Sequence, residues 1–196
     1  MKTIALTGVT RETLGTKDAK ALRNEGKVPC VLYGGGEHSH FYVYAADFKN
    51  LVYTPNTYKV QLTLNDKKYL AILQDMQFHP ISETIIHADF LAVAEDKPVI
   101  VSIPVKVVGN SPGVRAGGRL AQKITRLQVR GLINDIPDNI EVTIEGLEIG
   151  QSTKVKDIPA SKVDILDAKE NAVISIKMTR NVATAAAEDD KDKKKK

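Results

Sequence analysis

Residues 58–73 read Tyr-Lys-Val-Gln-Leu-Thr-Leu-Asn-Asp-Lys-Lys-Tyr-Leu-Ala-Ile-Leu, and this stretch sets the fold class of the first part of the chain. Large apolar side chains alternate with polar ones at Tyr58, Val60, Leu62 and Leu64. A period of two is typical of a half-buried β-strand. Asn65-Asp66 is a favourable tight-turn dipeptide, and residues 68–73 then return as the partner strand. The stretch therefore predicts a β-hairpin.

The sequence on both sides of this hairpin predicts further strands and two short helices. The first residues read as a strand and a loop. Thr16 is the predicted N-cap of a helix over 17–25, and Gly26 is placed to end that helix. Strands are predicted over 28–33, 41–44 and 84–94, and a helix over 47–53 with Phe48, Leu51 and Val52 facing inward. A closed or nearly closed barrel would hide the strand edges of such a unit.

Polar residues 95–98 end in a proline and mark a predicted domain boundary. Beyond it, apolar residues alternate with polar ones over 99–107, 140–144 and 172–178, and glycines and prolines separate the strands. We therefore expect a mainly β protein. It has an N-terminal β-barrel domain over 1–94 with two or so short helices, and an all-β C-terminal domain over 95–180. Residues 181–196 are low in complexity and predict a disordered, charged tail.

Composition excludes several classes of protein. The 196 residues include 28 Lys and Arg and 24 Asp and Glu, so the net charge of +4 does not fit a uniformly basic, histone-like protein. The single cysteine, Cys30, cannot form an internal disulfide or a thiolate zinc site. The apolar run at the N-terminus is too short for a secretory signal, and no run approaches the ~18 apolar residues of a membrane span. These observations predict a soluble, cytoplasmic protein.

Charge is unevenly placed along the second domain. Residues 97–134 contain seven basic side chains and no acidic one, whereas residues 135–170 contain nine acids and four bases. The basic run is able to guide an anionic partner. Alternatively, it pairs with the acidic run within one sheet, which would leave the surface nearly neutral. The sequence leaves both interpretations open.

His79, His87 and Asp89 are the residues most capable of site chemistry. Two imidazoles and a carboxylate suit a metal site or acid–base catalysis. His87 and Asp89, however, are two apart on a predicted strand and share a face. Such a pair also suits polar contacts to RNA base edges or 2′-hydroxyls. No nucleophile arrangement and no phosphate-binding P-loop motif is present. We therefore predict no catalytic residue, no metal and no cofactor.

A basic helix and a glycine turn form a second candidate surface. Lys17, Lys20 and Arg23 are spaced by three, so they lie on one side of the predicted helix, and Arg11 adds charge just before it. Tyr33 precedes three glycines, which would allow close approach of a phosphate backbone beside a stacking ring. The alternatives are a solvated helix face and an ordinary glycine turn.

Two ordered stretches resemble a known family. Gly15 and residues 20–34, and then residues 74–80 with 87–90, are similar to the signatures of bacterial large-subunit ribosomal protein twenty-five. The second domain resembles the long form, the general stress protein Ctc family, at residues 113–118 and 140–150. The resemblance covers about residues 1–180. The chain departs from the family pattern at Lys20-Ala21, often two arginines, and at Phe78, often a basic residue.

The resemblance implies a non-catalytic, cytoplasmic protein of the large ribosomal subunit that contacts neighbouring ribosomal proteins and binds 5S rRNA through its barrel. It implies no membrane and no small-molecule substrate. By position, the RNA surface would include Arg11, Lys20, Arg23, Tyr33 and Gly34. Polar contacts to the RNA minor groove would come from Gln74, Gln77, His87 and Asp89. Lys17 is added from helix spacing alone. The alternatives are a stress-related, protein-binding β module acting off the ribosome and a metal hydrolase.

Overall fold

A computed structural model describes residues 1–36, 38–94, 96–159 and 163–179 of the chain. In that part, the first unit is a closed barrel of six strands. They are β1 (Lys2–Thr10), β2 (Lys27–Tyr33), β3 (Ser39–Tyr44), β4 (Tyr58–Leu64), β5 (Lys67–Phe78) and β6 (Ile85–Ala92). Their order around the barrel is β1-β3-β2-β6-β5-β4. β1 is parallel to β4 and β2 is parallel to β6, whereas the other neighbours are antiparallel.

The predicted hairpin is the β4–β5 pair. Asn65 and Asp66 have φ values of 44° and 66°. Positive φ at both central residues matches the twist of the flanking strands, as hairpin turns require. β5 continues to Phe78, five residues beyond its predicted end, because it goes on pairing with β6 after it leaves β4. The strand predicted over 84–94 is β6.

Apolar side chains from all six strands fill the barrel. Phe41, Phe48 and Phe90 are fully buried, and Phe90 lies 5.7 Å and 6.3 Å, between ring centroids, from the other two rings. Burial of each such side chain stabilises the fold by roughly 1.5–3 kcal/mol. Phe48 and Leu51 face inward as predicted, while Val52 is half-buried and packs against the same core.

The first helix is α1 (Thr16–Asn24), and its predicted N-cap is wrong. Gly15 occupies the cap position, because its carbonyl oxygen already accepts the first helical hydrogen bond from Ala19 N, at 3.0 Å. Thr16 is therefore the first helical residue. Gly26 has a φ of 73° and ends the helix as predicted. The helix predicted over 47–53 is a 3-10 turn (Ala45–Phe48) followed by α2 (Lys49–Val52).

The second part of the chain is also mainly β. Its strands are β7 (Val99–Val108), β8 (Arg119–Gln122), β9 (Arg126–Gly131), β10 (Ile140–Thr143), β11 (Ser152–Lys154), β12 (Asp164–Ile165) and β13 (Ala172–Lys177). They form one sheet in the order β10-β7-β9-β12 and another in the order β11-β13-β8. A one-turn helix, α3 (Pro112–Arg115), and a 3-10 turn (Val155–Asp157) interrupt them. The predicted mainly β class is confirmed.

The chain divides into two compact units. The first contains Met1–Val101 and Arg130–Asp138, and the second contains Ser102–Val129 and the residues from Asn139 onward. Within the first unit, the Met1 amino group lies 3.2 Å from Asp138 Oδ1, and Lys59 Nζ donates to Asn134 Oδ1 at 3.0 Å. The boundary between residues 94 and 95 stays a prediction. The predicted disordered tail, 181–196, lies outside the described residues. No described helix has the length and apolar character needed to cross a membrane.

Candidate nucleic-acid interface

A polar face forms on the outside of the barrel where β5 pairs with β6. Gln77 is in register with His87, and Asp75 is in register with Asp89. Residues opposite each other on antiparallel strands share a face. The alternate positions point inward: Ala88 is fully buried in the core, and Met76 packs against it. The two pairs therefore face outward together, and we call these four residues the polar face.

An ion-pair geometry joins two members of the polar face. His87 Nδ1 lies 2.9 Å from Asp89 Oδ1, and both side chains are half-buried. The spacing of two along β6, which predicted that both side chains share a face, is what allows this contact. The contact fixes the imidazole ring and leaves its Nε2 atom to meet a ligand.

Gln74 lies beside the polar face without a register partner. The β5–β6 pairing shifts between Leu73 and Asp75, so Gln74 is the extra residue of a β-bulge. Its side chain is exposed. Bulges redirect side chains next to functional surfaces. The structure thus places Gln77 within the polar face and Gln74 at its border.

Tyr33 and Gly34 border the polar face from β2. The parallel pairing aligns Val31 with Asp89, so Tyr33 lies one alternate position further along the same outer face. Partial burial raises the pKa of Tyr33, and the negative charges of Asp89 and Asp75 raise it further. The phenol therefore stays protonated at neutral pH and is able to donate a hydrogen bond.

The fold itself requires a glycine at position 34. Its φ of +96° is unfavourable for any residue with a side chain. A Cβ at this position would lie 2.6 Å from Leu91 Cδ1 and 3.0 Å from the Ala92 carbonyl oxygen. The glycine therefore lets the turn after β2 pack tightly on β6, in addition to any role in admitting a phosphate backbone.

The helix α1 is attached directly to the strand that carries His87. Arg23 Nε donates a hydrogen bond of 3.0 Å to the Ile86 carbonyl oxygen. Lys17, Lys20 and Arg23 are all exposed. Lys20 and Arg23 line one groove, whose other lining residues include Lys27, His79 and Thr84. The structure thus brings the predicted basic helix and the polar face together.

Arg11 is oriented differently from the other predicted basic residues. Its Nη2 atom lies 2.6 Å from Asp18 Oδ2, its side chain is only 9% exposed, and its Nε atom is buried without a partner. The guanidinium therefore faces α1 and fastens the loop before the helix. A contact between Arg11 and RNA stays a prediction.

No sequence pattern assigned Asp75, Lys27 or His79 to this surface. Asp75 lies within the stretch that resembles the family, and its register with Asp89 depends on the bulge at Gln74. Lys27 is the first residue of β2, and its Nζ is 2.7 Å from Glu25 Oε2, a hydrogen bond that raises the pKa of Lys27. Only the tertiary fold brings these residues to the groove and the polar face.

The metal hypothesis finds no support in the described residues, where no three His, Cys, Asp or Glu side chains gather in a way that would hold a metal ion. His79 has a structural role instead. Its Nδ1 accepts hydrogen bonds from Ile81 N and Ser82 N, at 3.3 Å and 3.2 Å, and so shapes the β5–β6 connection.

Known families match both parts of the chain. The model of the Ribosomal L25p family matches residues 6–90, and that of the ribosomal protein TL5 C-terminal domain matches residues 98–180. The large ribosomal subunit protein bL25 of Amoebophilus asiaticus is 45% identical over 196 residues, which cover all of both chains. The bL25 protein of Azobacteroides pseudotrichonymphae is 41% identical over 189 residues, 96% of this chain and all of the relative.

The fold and these matches define a bacterial ribosomal protein with a barrel unit followed by a second β unit. The chain belongs to the bL25 family, in its long form. Members of this family are structural proteins of cytoplasmic ribosomes and not enzymes. The predicted family, the non-enzymatic role and the location are thereby confirmed.

Proposed function

We propose that this chain is a structural component of the large ribosomal subunit and that it binds 5S rRNA through the outside of its barrel. The observation that carries the proposal is the hydrogen bond from Arg23 Nε to the Ile86 carbonyl oxygen. It holds the basic helix beside the strand with His87 and Asp89. Groups suited to phosphates and groups suited to a groove therefore share one surface.

The two sets of side chains divide the work of recognition. Lys17, Lys20 and Arg23 are exposed bases that neutralise backbone phosphates and set the orientation of the RNA. Gln77 and His87, with the carboxylates of the polar face, offer donors and acceptors to the wide, shallow minor groove of an A-form helix, where 2′-hydroxyls are displayed. Recognition rests mainly on RNA shape, because this surface offers few rings for base stacking.

The border residues complete the surface. Tyr33 supplies a protonated phenol, Gly34 allows close approach of the RNA backbone, and Gln74 extends the row of amides from the bulge. Arg11 acts through Asp18 by holding the loop before α1 in place. Residues 1–95 contain ten basic and ten acidic side chains. A unit without net charge is able to hold a polyanion when its basic side chains are concentrated beside the groove-facing groups.

A titration of the full-length chain with 5S rRNA tests the proposal. Replacement of Arg23→Ala together with His87→Ala removes one phosphate contact, one groove contact and the hydrogen bond that holds α1 beside β6. We therefore expect affinity to fall at least tenfold, given about 1.5–3 kcal/mol for each hydrogen bond to a charged group. Unchanged affinity would overturn the proposal. The matched control is Lys67→Ala with Lys68→Ala, exposed bases about 30 Å along β5 from Gln77 at ~3.3 Å per residue.

Co-sedimentation with large ribosomal subunits separates this function from a protein-binding module acting off the ribosome. The proposal expects the wild-type chain to travel with the subunits and the double variant to remain largely in the supernatant at moderate salt. A wild-type chain that stays free of the subunits under conditions where it binds isolated 5S rRNA would favour the alternative.

A further inference from the structure

We propose that Arg115, Arg119 and Lys177 form a second RNA-contacting surface, located in the second unit and separate from the surface on the barrel. This basic cluster would bind phosphates of an RNA helix without reading its sequence. The inference goes beyond 5S rRNA binding, and its evidence lies entirely within the second unit.

Strand register brings two of the three bases together. β8 and β13 are antiparallel, and Arg119 lies directly opposite Lys177. Both side chains are exposed and share one face of the sheet. Like charges in this position destabilise a sheet when no counter-charge is present. A bound anionic partner would offset this repulsion, because it attracts both side chains.

The third base is held at the same end of the sheet by backbone contacts. Arg115 ends α3, and the turn that follows leads directly into β8. Gly118 N donates to the Gly113 carbonyl oxygen at 2.9 Å, and Thr179 Oγ1 donates to the Gly117 carbonyl oxygen at 2.8 Å. The turn between Arg115 and Arg119 is thus fastened beside the end of β13.

The acidic part of the unit does not neutralise this cluster. Among the described residues, no carboxylate oxygen lies within 4.0 Å of a side-chain nitrogen of Arg115, Arg119 or Lys177. Other bases of the unit do have acidic neighbours. Lys154 Nζ is 2.7 Å from Glu170 Oε2, Lys156 Nζ is 4.0 Å from Glu170 Oε1, and Lys106 is in register with Glu141.

The chemistry of the cluster favours RNA phosphate over an acidic protein. Two of its three members are arginines, whose planar guanidinium matches a phosphate with two parallel hydrogen bonds. The large apolar neighbour Leu120 is in register with Ile176 and lies on the opposite face of the sheet. On the sheet itself, the basic face carries the small side chains of Ala121 and Ser175 rather than a large apolar one, whereas a protein–protein interface typically has an apolar centre.

The test uses the full-length chain and an RNA duplex of unrelated sequence, measured by filter binding over a range of salt. All variants carry Arg23→Ala and His87→Ala, which weaken the barrel surface equally in the test protein, the control and their common parent. The test variant adds Arg115→Gln, Arg119→Gln and Lys177→Gln. The control adds Lys106→Gln, Lys154→Gln and Lys156→Gln, which removes the same charge from bases that have acidic neighbours.

We expect the test variant to bind at least tenfold more weakly than its parent at low salt. The slope of the logarithm of the binding constant against the logarithm of the salt concentration should fall in magnitude by about two to three, since each lost phosphate contact lowers it by about one. The control should stay within about threefold of its parent. Equal losses in both variants, or none in the test variant, would overturn the proposal. So would polyglutamate binding that depends on the cluster while RNA binding does not. Thermal unfolding of each variant checks that the fold is intact.

Discussion

Asp75 and Asp89 lie directly opposite each other, on β5 and β6, on the outer face of the barrel. Two carboxylates in this relationship repel each other and destabilise the strand pair. Each has one compensating contact: Asp89 Oδ1 with His87 Nδ1 at 2.9 Å, and Asp75 Oδ1 with the Met76 backbone N–H at 2.8 Å. Residues that lower stability in this way are expected at binding surfaces, where local rules of folding give way to function.

Replacement of Asp75→Asn should raise the free energy of unfolding by about 0.2–1 kcal/mol, because it removes the repulsion across the strands. Asparagine keeps the oxygen that accepts from Met76 N. Urea denaturation at neutral pH measures the change. The control is Asp66→Asn in the β4–β5 turn, where the residue is exposed and asparagine also tolerates positive φ. A less stable Asp75→Asn variant would contradict the expected repulsion.

The contact between Arg11 and Asp18 predicts a different effect. Replacement of Asp18→Ala should lower the free energy of unfolding by about 1–3 kcal/mol, because the largely buried guanidinium loses its carboxylate partner and keeps only a 3.4 Å hydrogen bond to the Thr13 carbonyl oxygen. A double-mutant cycle with Arg11→Ala measures the coupling between the two side chains. Glu12→Ala, an exposed acid in the same loop, serves as the control. Additive effects of the two single variants would show that the pair contributes nothing.

Local pattern was sufficient to predict much of the fold. Alternation and the Asn65-Asp66 turn gave the β4–β5 hairpin, and the spacing of His87 and Asp89 gave their common face. Gly26 ends α1, as expected from the ability of glycine to adopt a positive φ. Each of these features depends on residues within a few positions of one another.

The remaining features depend on closure of the barrel. The parallel β2–β6 pairing places Tyr33 near Asp89, and the bulge at Gln74 sets which residue of β5 faces Asp89. Neither the register nor the bulge leaves a local pattern in the sequence. Nothing in the local sequence indicates that Arg11 is paired, because its partner, Asp18, lies seven positions away, beyond a loop and inside α1.

Replacement of Gly8 by a larger residue should cause a steric clash inside the barrel. A Cβ on Gly8 would lie 2.5 Å from Phe41 Cδ2 and 2.7 Å from Leu64 Cδ2. Overpacking of a core typically costs about 1–3 kcal/mol, so Gly8→Ala should lower the thermal midpoint accordingly. The control is Gly35→Ala, whose added Cβ would meet only Ala92 Cβ, at an ordinary 3.6 Å. Equal midpoints for the two variants would show that the core adapts without cost.

Gly113 predicts a larger effect in the second unit, because a Cβ there would meet backbone rather than flexible side chains. It would lie 2.8 Å from the Glu148 carbonyl carbon and 2.9 Å from Ile149 N. The Gly113→Ala variant must therefore separate α3 from the loop after β10, and we expect a loss of about 3 kcal/mol, at the upper end of the usual range for overpacking. Protease sensitivity of the second unit provides the readout. Ala116→Ser, at the exposed end of α3, should leave the protease pattern unchanged.

Cys30 predicts a pH dependence of stability. Its thiol is buried in the barrel core, and this burial strongly raises its pKa, so the thiol stays neutral in the folded protein. In the unfolded chain the thiol ionises at a pKa of about 8.5. The folded-state pKa therefore lies above the unfolded value. Burial of the neutral thiol contributes its full share to the free energy of unfolding below pH ~8.5, and this contribution is lost as pH rises beyond it. Between about pH 7.5 and 9.5 the loss should be roughly 1.4 kcal/mol.

Urea denaturation under reducing conditions, at both pH values, tests this expectation. The comparison is with Cys30→Ala, which keeps every other ionisable group of the chain and lacks only the thiol. The variant is less stable at every pH because of the cavity it creates, but its stability should fall less between the two pH values. Parallel pH profiles for the wild-type protein and the variant would show that the thiol already ionises in the folded barrel.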